Sequence, residues 1–264
     1  MFGLSEEIAQ FLLINDNQKK VRTDLGLRVV QRTLDEGALS DEEKRILQTV
    51  VPDTDAWRFA ASRIAALMNT DADSPWQGRI QMPGEVTKPL TLQAFFTGLK
   101  PILHDPDIST LLDQMEKAGN LRVNGKPVTP TDFVVQVLKN FWTAVGRVNK
   151  DADAEPDTTV LWAPIGASSC HIGLAPIMWT ILQSADRNLS ADRFESMIKD
   201  TDAANYDYWF TRPGTKKQRD WYPGEKGPAT LMTGAANYGR LGKQLEQQWR
   251  ANLHAQAAAT AATA

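Results

Sequence analysis

The stretch from Thr129 to Val145 carries the strongest folding signal in the sequence. Thr129 is a typical helix N-cap, Pro130 suits the first helical position, and Asp132 places a negative charge near the positive end of the helix dipole. The residues that follow form a wide apolar stripe at helical spacing: Phe133, Val134, Val137, Leu138, Phe141, Trp142 and Val145. A helix with so wide an apolar face is expected at the centre of a core.

Turn and cap residues divide the rest of the chain into further helices. Ser40 followed by Glu43 is a capping box, and Trp57, Ile64 and Leu67 fall on one helical face. Asn124-Gly125 lies between two extended runs, which predicts a β-hairpin, and residues 79–82 are a short strand candidate. We predict helices near residues 5–14, 23–34, from 40 onward, 54–67, 91–99, 108–115, 170–183, 191–199 and 230–253.

These elements predict a mainly α fold class, a multi-helix globular domain with one short β-hairpin and minor strands. A chain of 264 residues suits one large domain or two small ones. We place a domain boundary near residue 50 and assign residues 51–254 to the helical domain. Residues 255–264 are low-complexity alanine and threonine, and we expect this tail to be disordered.

Composition narrows the function classes. The net charge is -3, so the bulk charge gives no support for nucleic-acid binding and any such surface has to be local. Cys170 is the single cysteine, which excludes an intrachain disulfide and favours the reducing cytoplasm. We expect no membrane partner, since we find no apolar run that approaches the roughly 20 residues needed to span a bilayer. No signal peptide is recognisable. No cofactor is expected, because the sequence contains no Walker loop, GxGxxG motif or serine elbow.

Two segments resemble the DGQHR-domain proteins. Residues 11–21, Phe-Leu-Leu-Ile-Asn-Asp-Asn-Gln-Lys-Lys-Val, resemble the family's Phe-x-x-Ile-Asn-x-x-Gln-x-x-Val element. Residues 60–80 contain Leu67-Met68-Asn69 after an amphipathic helix, and then Ser-Pro-Trp-Gln-Gly-Arg-Ile at 74–80. This second segment resembles the family's Leu-Asn stretch and its Ser-Pro-aromatic-x-Gly-x-Ile turn. The order and the spacing of the two segments agree with the family.

The resemblance implies a regulator or accessory factor of DNA-modification systems, such as phosphorothioation clusters, or of phage defence. It also implies the C-terminal part of a ParB/sulfiredoxin-like α/β protein, with residues 1–50 as the remnant of the family's domain. The family's Asp-Gly-Gln-His-Arg loop would precede Ser5, and the chain contains no Asp-Gly or His-Arg pair. We therefore expect a fragment, a split gene product, or a member that has lost the pocket.

The first candidate site follows from that resemblance. Asn15, Asn17, Gln18 and Lys20 would face the family's presumed nucleotide or DNA pocket. The alternative is structural, because asparagine side chains commonly cap free backbone N–H groups and tolerate unusual dihedrals, and lysines here would be solvated.

The second candidate site is a nucleic-acid surface near residue 216. Cations that neutralise phosphates alternate there with aromatic rings that can stack on bases: Arg212, Lys216, Lys217, Arg219, Trp221 and Tyr222. The alternative is a loop whose aromatic rings pack on helices while its charges stay hydrated. On the last helix, Arg240, Lys243 and Arg250 either extend a basic face or serve solubility.

Cys170-His171 is the remaining chemical candidate. Zinc needs about four ligands, and His104 and His254 show no partner pattern, so we predict a packed thiol and a polar helix residue rather than a metal site. Three functions remain open: a DNA-associated accessory protein that is not catalytic alone, a subunit of a ParB/sulfiredoxin-like nucleotide- or DNA-hydrolysing enzyme, and a protein-interaction module without DNA contact.

Overall fold

The computed structural model describes residues 56–82, 85, 88, 90–123, 125–154, 156, 159–184, 186–211, 227–232 and 234–263. The helices predicted near 5–14, near 23–34 and from residue 40, and the domain boundary near residue 50, lie outside these ranges.

The described part of the chain is mainly helical, with two short strand pairs, which confirms the predicted fold class. The elements, in chain order, are α1 Ala56–Thr70, β1 Ile80–Gln81, β2 Leu90–Thr91, α2 Leu92–Leu103, α3 Pro106–Lys117, β3 Arg122–Val123, β4 Lys126–Pro127, α4 Pro130–Val148, α5 Lys150–Ala154, α6 Pro164–Gln183, α7 Ala191–Ile198, a 3-10 turn Asp202–Ala204, α8 Tyr206–Trp209, a 3-10 turn Pro228–Leu231 and α9 Ala235–Thr263.

The sheet structure is minimal. Strands β1 and β2 pair in parallel, with Ile80 opposite Leu90. Strands β3 and β4 form the predicted antiparallel hairpin, with Val123 opposite Lys126. Gly125 in its turn has φ of 77°, a left-handed conformation that favours glycine. Helix packing therefore has to supply almost all of the core.

Local capping starts α4 where the sequence predicts it. The Thr129 hydroxyl oxygen accepts a hydrogen bond from the Asp132 N–H, with 3.2 Å between the atoms, and Pro130 occupies the first turn. Ser190 caps α7 in the same way by accepting from the Arg193 N–H. The start signal of α4 is confirmed, and α7 begins at Ala191 as predicted.

Two groups of helices build the core. Helix α6 packs against α2 and α9, while α4 packs against α7 and α1. Tryptophans from separate elements meet between them: the Trp142 ring lies 4.8 Å from the Trp76 ring and 5.1 Å from the Trp162 ring, and all three are fully buried. Edge-to-face and tilted pairs of this kind add to the stability that burial of their area provides.

Two predicted helix boundaries were wrong. Helix α6 begins at Pro164 rather than near Cys170, since a helix buried on most sides shows no amphipathic period from which its start can be found. Helix α9 begins at Ala235 and continues through Thr263, past the expected end at Leu253. The expected disordered tail is therefore helical over residues 255–263, because alanine has the highest helix propensity.

The view that no apolar run approaches bilayer length was also wrong. Helix α6 has 20 residues without a charged side chain and is long and apolar enough, by length and composition, to cross a membrane. However, 78% of this stretch is buried inside the protein, as in the core helix of a globular domain.

Helices α6 and α9 cross at glycines. A Cβ added to Gly173 would lie 2.9 Å from the Gly242 carbonyl oxygen. A Cβ added to Gly242 would lie 2.7 Å from the Ile172 Cβ and 2.9 Å from the Ser169 carbonyl oxygen. Contacts this short force the two backbones apart, so the crossing depends on the absence of side chains there.

We predict opposite effects for two alanine substitutions in α9. Gly242→Ala should lower the free energy of unfolding by about 1–2 kcal/mol, because overpacking at the crossing exceeds the gain in helix propensity. Gly239→Ala should raise it by about 0.5–1 kcal/mol, since nothing lies within 4 Å of its added Cβ. Urea denaturation measures both, and equal effects would contradict the tight crossing.

Candidate functional site

Neither predicted group of site residues lies in the described part of the chain. The first comprises Asn15, Asn17, Gln18 and Lys20, and the second comprises Arg212, Lys216, Lys217, Arg219, Trp221 and Tyr222. The structure does describe both flanks of the second group, the turn at residues 74–80 (the 74–80 turn), and the Cys170-His171 pair.

The residues that flank the cationic segment, defined as residues 212–226, lie side by side. The Gly227 N–H donates to the Phe210 carbonyl oxygen at 3.0 Å. Phe210 also pairs with Thr159 in an isolated antiparallel bridge, and the Val160 N–H donates to the Trp209 carbonyl oxygen at 2.9 Å. The two flanks of the cationic segment therefore meet at one place, which we call the segment base.

Close packing fixes the segment base. A Cβ added to Gly227 would clash with the carbonyl oxygens of Asp207 and Tyr208, so only glycine fits there. Trp209 is fully buried, and its indole N–H donates to the Asp202 carbonyl oxygen at 2.7 Å. A fully buried indole with a satisfied N–H is a strong local anchor.

Asp202 connects the segment base to α9. Its carboxylate accepts from the side-chain amides of Gln244 at 2.7 Å and Gln248 at 2.6 Å. Burial raises the pKa of Tyr208, and the nearby Asp202 charge adds to the rise while Arg240 opposes it. These contacts place the first turns of α9 beside the segment base.

The three cations noted on the last helix do not share one environment. The Arg250 guanidinium turns back to the protein, where its Nε donates to Glu246 at 2.8 Å and its Nη1 donates to Thr180 at 3.0 Å. Arg240 and Lys243 are exposed. The continuous basic face through Arg250 is therefore not formed, although its first two members lie on the surface.

Asn69 holds the 74–80 turn in place through two hydrogen bonds. The Asn69 side-chain oxygen accepts from the Ile80 N–H at 2.9 Å, and its carbonyl oxygen accepts from the Gly78 N–H at 2.9 Å. Trp76 is fully buried, and Gly78 has φ of 66°. The conformation of this turn depends on Asn69, Trp76 and Gly78, which explains its residue pattern structurally.

Arg79 projects from the turn towards an open cleft of about 440 Å³. Its guanidinium lies 4.2 Å from the centre of the Trp162 ring and 3.2 Å from the Asp153 carboxylate. Arg147, on the same cleft, is paired with Asp192 at 2.8 Å. Local carboxylates thus neutralise both cations. The sequence placed Arg79 in a turn and at the start of a strand candidate, and its contacts could not be predicted because its partners are distant in sequence.

Cys170 and His171 are both fully buried in α6. Burial raises the pKa of the Cys170 thiol, which makes it a poor nucleophile. Burial also lowers the pKa of His171 to about 3, and its Nε2 accepts a hydrogen bond from the Trp142 indole N–H at 2.9 Å. Within the described ranges no cluster of three metal-binding side chains occurs. The packed thiol is confirmed, whereas His171 is a core residue rather than an ordinary polar one.

An apolar cleft of about 560 Å³ lies where the turn between α2 and α3 meets α6. Pro101, Ile108, Ile172, Pro176 and Trp179 form most of its apolar lining. Sequence reasoning did not find this cleft, because its residues come from separate helices without a shared motif.

No protein-family model matches the chain, and no curated protein or solved structure is significantly similar to it.

We predict that His171 makes the fold sensitive to acid. The folded pKa of about 3 lies below the unfolded value of about 6.5, so the unfolded state binds the extra proton first. This contribution to stability is complete above about pH 6.5 and is lost at about 1.4 kcal/mol per pH unit as the pH falls towards 3.

His171→Gln keeps an acceptor for Trp142 but cannot titrate. Between pH 7 and pH 4.5, its free energy of unfolding should therefore fall by about 2 kcal/mol less than that of the wild type. His254→Gln, on an exposed position of α9, is the matched control and should follow the wild type. Parallel urea-denaturation results for all three proteins at both pH values would refute the prediction.

Proposed function

We propose that the chain is a DNA-associated accessory or regulatory protein of a bacterial or phage DNA-modification or defence system, and that it is not catalytic on its own. The resemblance of residues 11–21 and 60–80 to DGQHR-domain proteins supports the choice of system. The observation that carries the DNA contact is the Gly227–Phe210 hydrogen bond, which brings both flanks of the cationic segment together.

The chemistry of the cationic segment suits a nucleic acid. It contains five cationic residues, Arg212, Lys216, Lys217, Arg219 and Lys226, against two acidic ones, Asp220 and Glu225. Cations neutralise backbone phosphates and release condensed counterions, while aromatic rings stack on exposed bases. These charges lie within 15 consecutive residues whose two flanks meet at the segment base.

A local excess of positive charge matters because the chain as a whole is acidic. With a net charge of -3, long-range attraction to DNA is absent and contact has to come from a local positive patch. Arg240 lies beside the segment base and adds a positive charge at that end of α9. The proposed contact is therefore electrostatic and independent of DNA sequence.

We predict that Lys216→Ala/Lys217→Ala weakens DNA binding in a salt-dependent way. Removing two phosphate contacts should reduce the slope of log affinity against log salt by about 2. Fluorescence anisotropy with a labelled 25-base-pair duplex, at salt concentrations between about 50 and 200 mM, measures this slope.

The control variant is Lys117→Ala/Lys126→Ala, which removes the same charge from exposed positions on α3 and β4. It should leave the slope unchanged. Equal slopes for the wild type and both variants would show that the cationic segment does not contact DNA, and absence of salt-dependent binding by the wild type would reject the function itself.

A second candidate function is a protein-interaction module without DNA contact, with proteins of the modification or defence system as partners. The apolar cleft beside Trp179 favours it, since an apolar groove with polar groups at its margin accommodates the apolar face of a partner helix. Lys100 and Asp107 provide opposite charges along its lining.

The protein-interaction function predicts a different result in a binding experiment. Binding to a purified enzyme of the modification system should persist after nuclease treatment and should be lost in Trp179→Asp. Loss of binding on nuclease treatment would instead support the DNA-dependent function.

A further inference from the structure

We infer that the outward strip of α9 contacts the DNA phosphate backbone through Arg240 and Lys243, which extends the surface of the cationic segment onto a fixed helix. The outward strip comprises Ala236, Arg240, Lys243, Gln247, Ala251 and His254. This inference rests on the proposed DNA association and names the part of the described chain that would take part in it.

The helical geometry defines the strip. Its members follow one another at intervals of three or four residues, so they share one face, and all of them are exposed. The opposite face is buried through Leu241, Leu245 and Trp249. The strip therefore points directly away from the core and is available to a large partner.

The strip carries two positive charges and no acidic residue. Glu246 is the single acidic residue of α9, and it is paired with Arg250 away from the strip. Many cations elsewhere in the described ranges have carboxylate partners, as Arg63 does with Asp132 and Lys139 does with Asp71. Within those ranges, neither Arg240 nor Lys243 has an ion pair.

The location of the strip connects it to the proposed DNA contact. Arg240 lies near Tyr208, which contacts Gly227, so the strip starts beside the segment base. Arg240 and Lys243 are one helical turn apart, with about 5–6 Å between their Cβ atoms, which lets both reach phosphates of one strand. Positive charges on neighbouring surfaces reinforce each other's attraction for a polyanion.

The test is Arg240→Gln/Lys243→Gln, which removes two charges and retains good helix formers. We expect the salt slope measured on the same 25-base-pair duplex to fall by about 2, so that the advantage of the wild type over the variant shrinks about tenfold between 50 and 200 mM salt. Far-UV circular dichroism should show unchanged helix content. The Lys117→Ala/Lys126→Ala control should retain the wild-type slope.

Each result separates the two proposals. A wild-type slope in Arg240→Gln/Lys243→Gln, together with a reduced slope in Lys216→Ala/Lys217→Ala, overturns the inference and leaves the proposed function intact. Absence of salt-dependent binding by the wild type overturns both. Should the double glutamine variant lose helix content, the single variant Lys243→Gln replaces it, with an expected slope change of about 1.

Discussion

Helix α6 contains no charged residue, and α2 and α9 cover most of its surface, so its polar side chains have to be accommodated inside the core. His171 is the largest of them. It accepts the Trp142 indole N–H through Nε2, which assigns the single proton of the neutral ring to Nδ1. A buried donor without a partner is costly, so this bond lets the Trp142 indole be buried from α4, whereas the Nδ1–H of His171 has no hydrogen-bond partner among the described residues. Because the bond between Trp142 and His171 joins the two helix groups, the aromatic cluster around Trp142 depends on it.

The sequence could predict those elements whose signals are local. Thr129 and Pro130 mark the start of α4, and the Asn-Gly turn marks the hairpin, because capping and turn chemistry are complete within a few residues. The start of α6 could not be predicted, since burial on all sides removes the alternation of apolar and polar residues. The face of α1 was only partly predicted: Ile64 is buried as expected, whereas Trp57 and Leu67 are only partly buried. Tertiary packing decides such rotations.

The candidate sites also combine features that the sequence predicts with contacts that only the structure shows. The packing of the Cys170 thiol was predicted from the sequence, but the Trp142 partner of His171 comes from another helix and could not be predicted. Likewise, three cations on the last helix looked equivalent, and only the structure separates them, because Arg250 reaches Thr180 on α6. The closure of the segment base between Phe210 and Gly227 is also a contact between distant parts of the chain, which composition cannot reveal.

Helix α9 connects these observations. Its buried face crosses α6 at Gly173 and Gly242, its glutamines bind Asp202 beside the segment base, and its outward face carries Arg240 and Lys243. A close glycine crossing leaves little freedom for the helix to slide or rotate, since any shift brings backbone atoms into contact. The positions of the exposed cations relative to the segment base are therefore set by the core. In the proposed DNA contact, cations on a helix held in this way would lose little conformational freedom on binding, which favours recognition by charge arrangement over recognition by net charge.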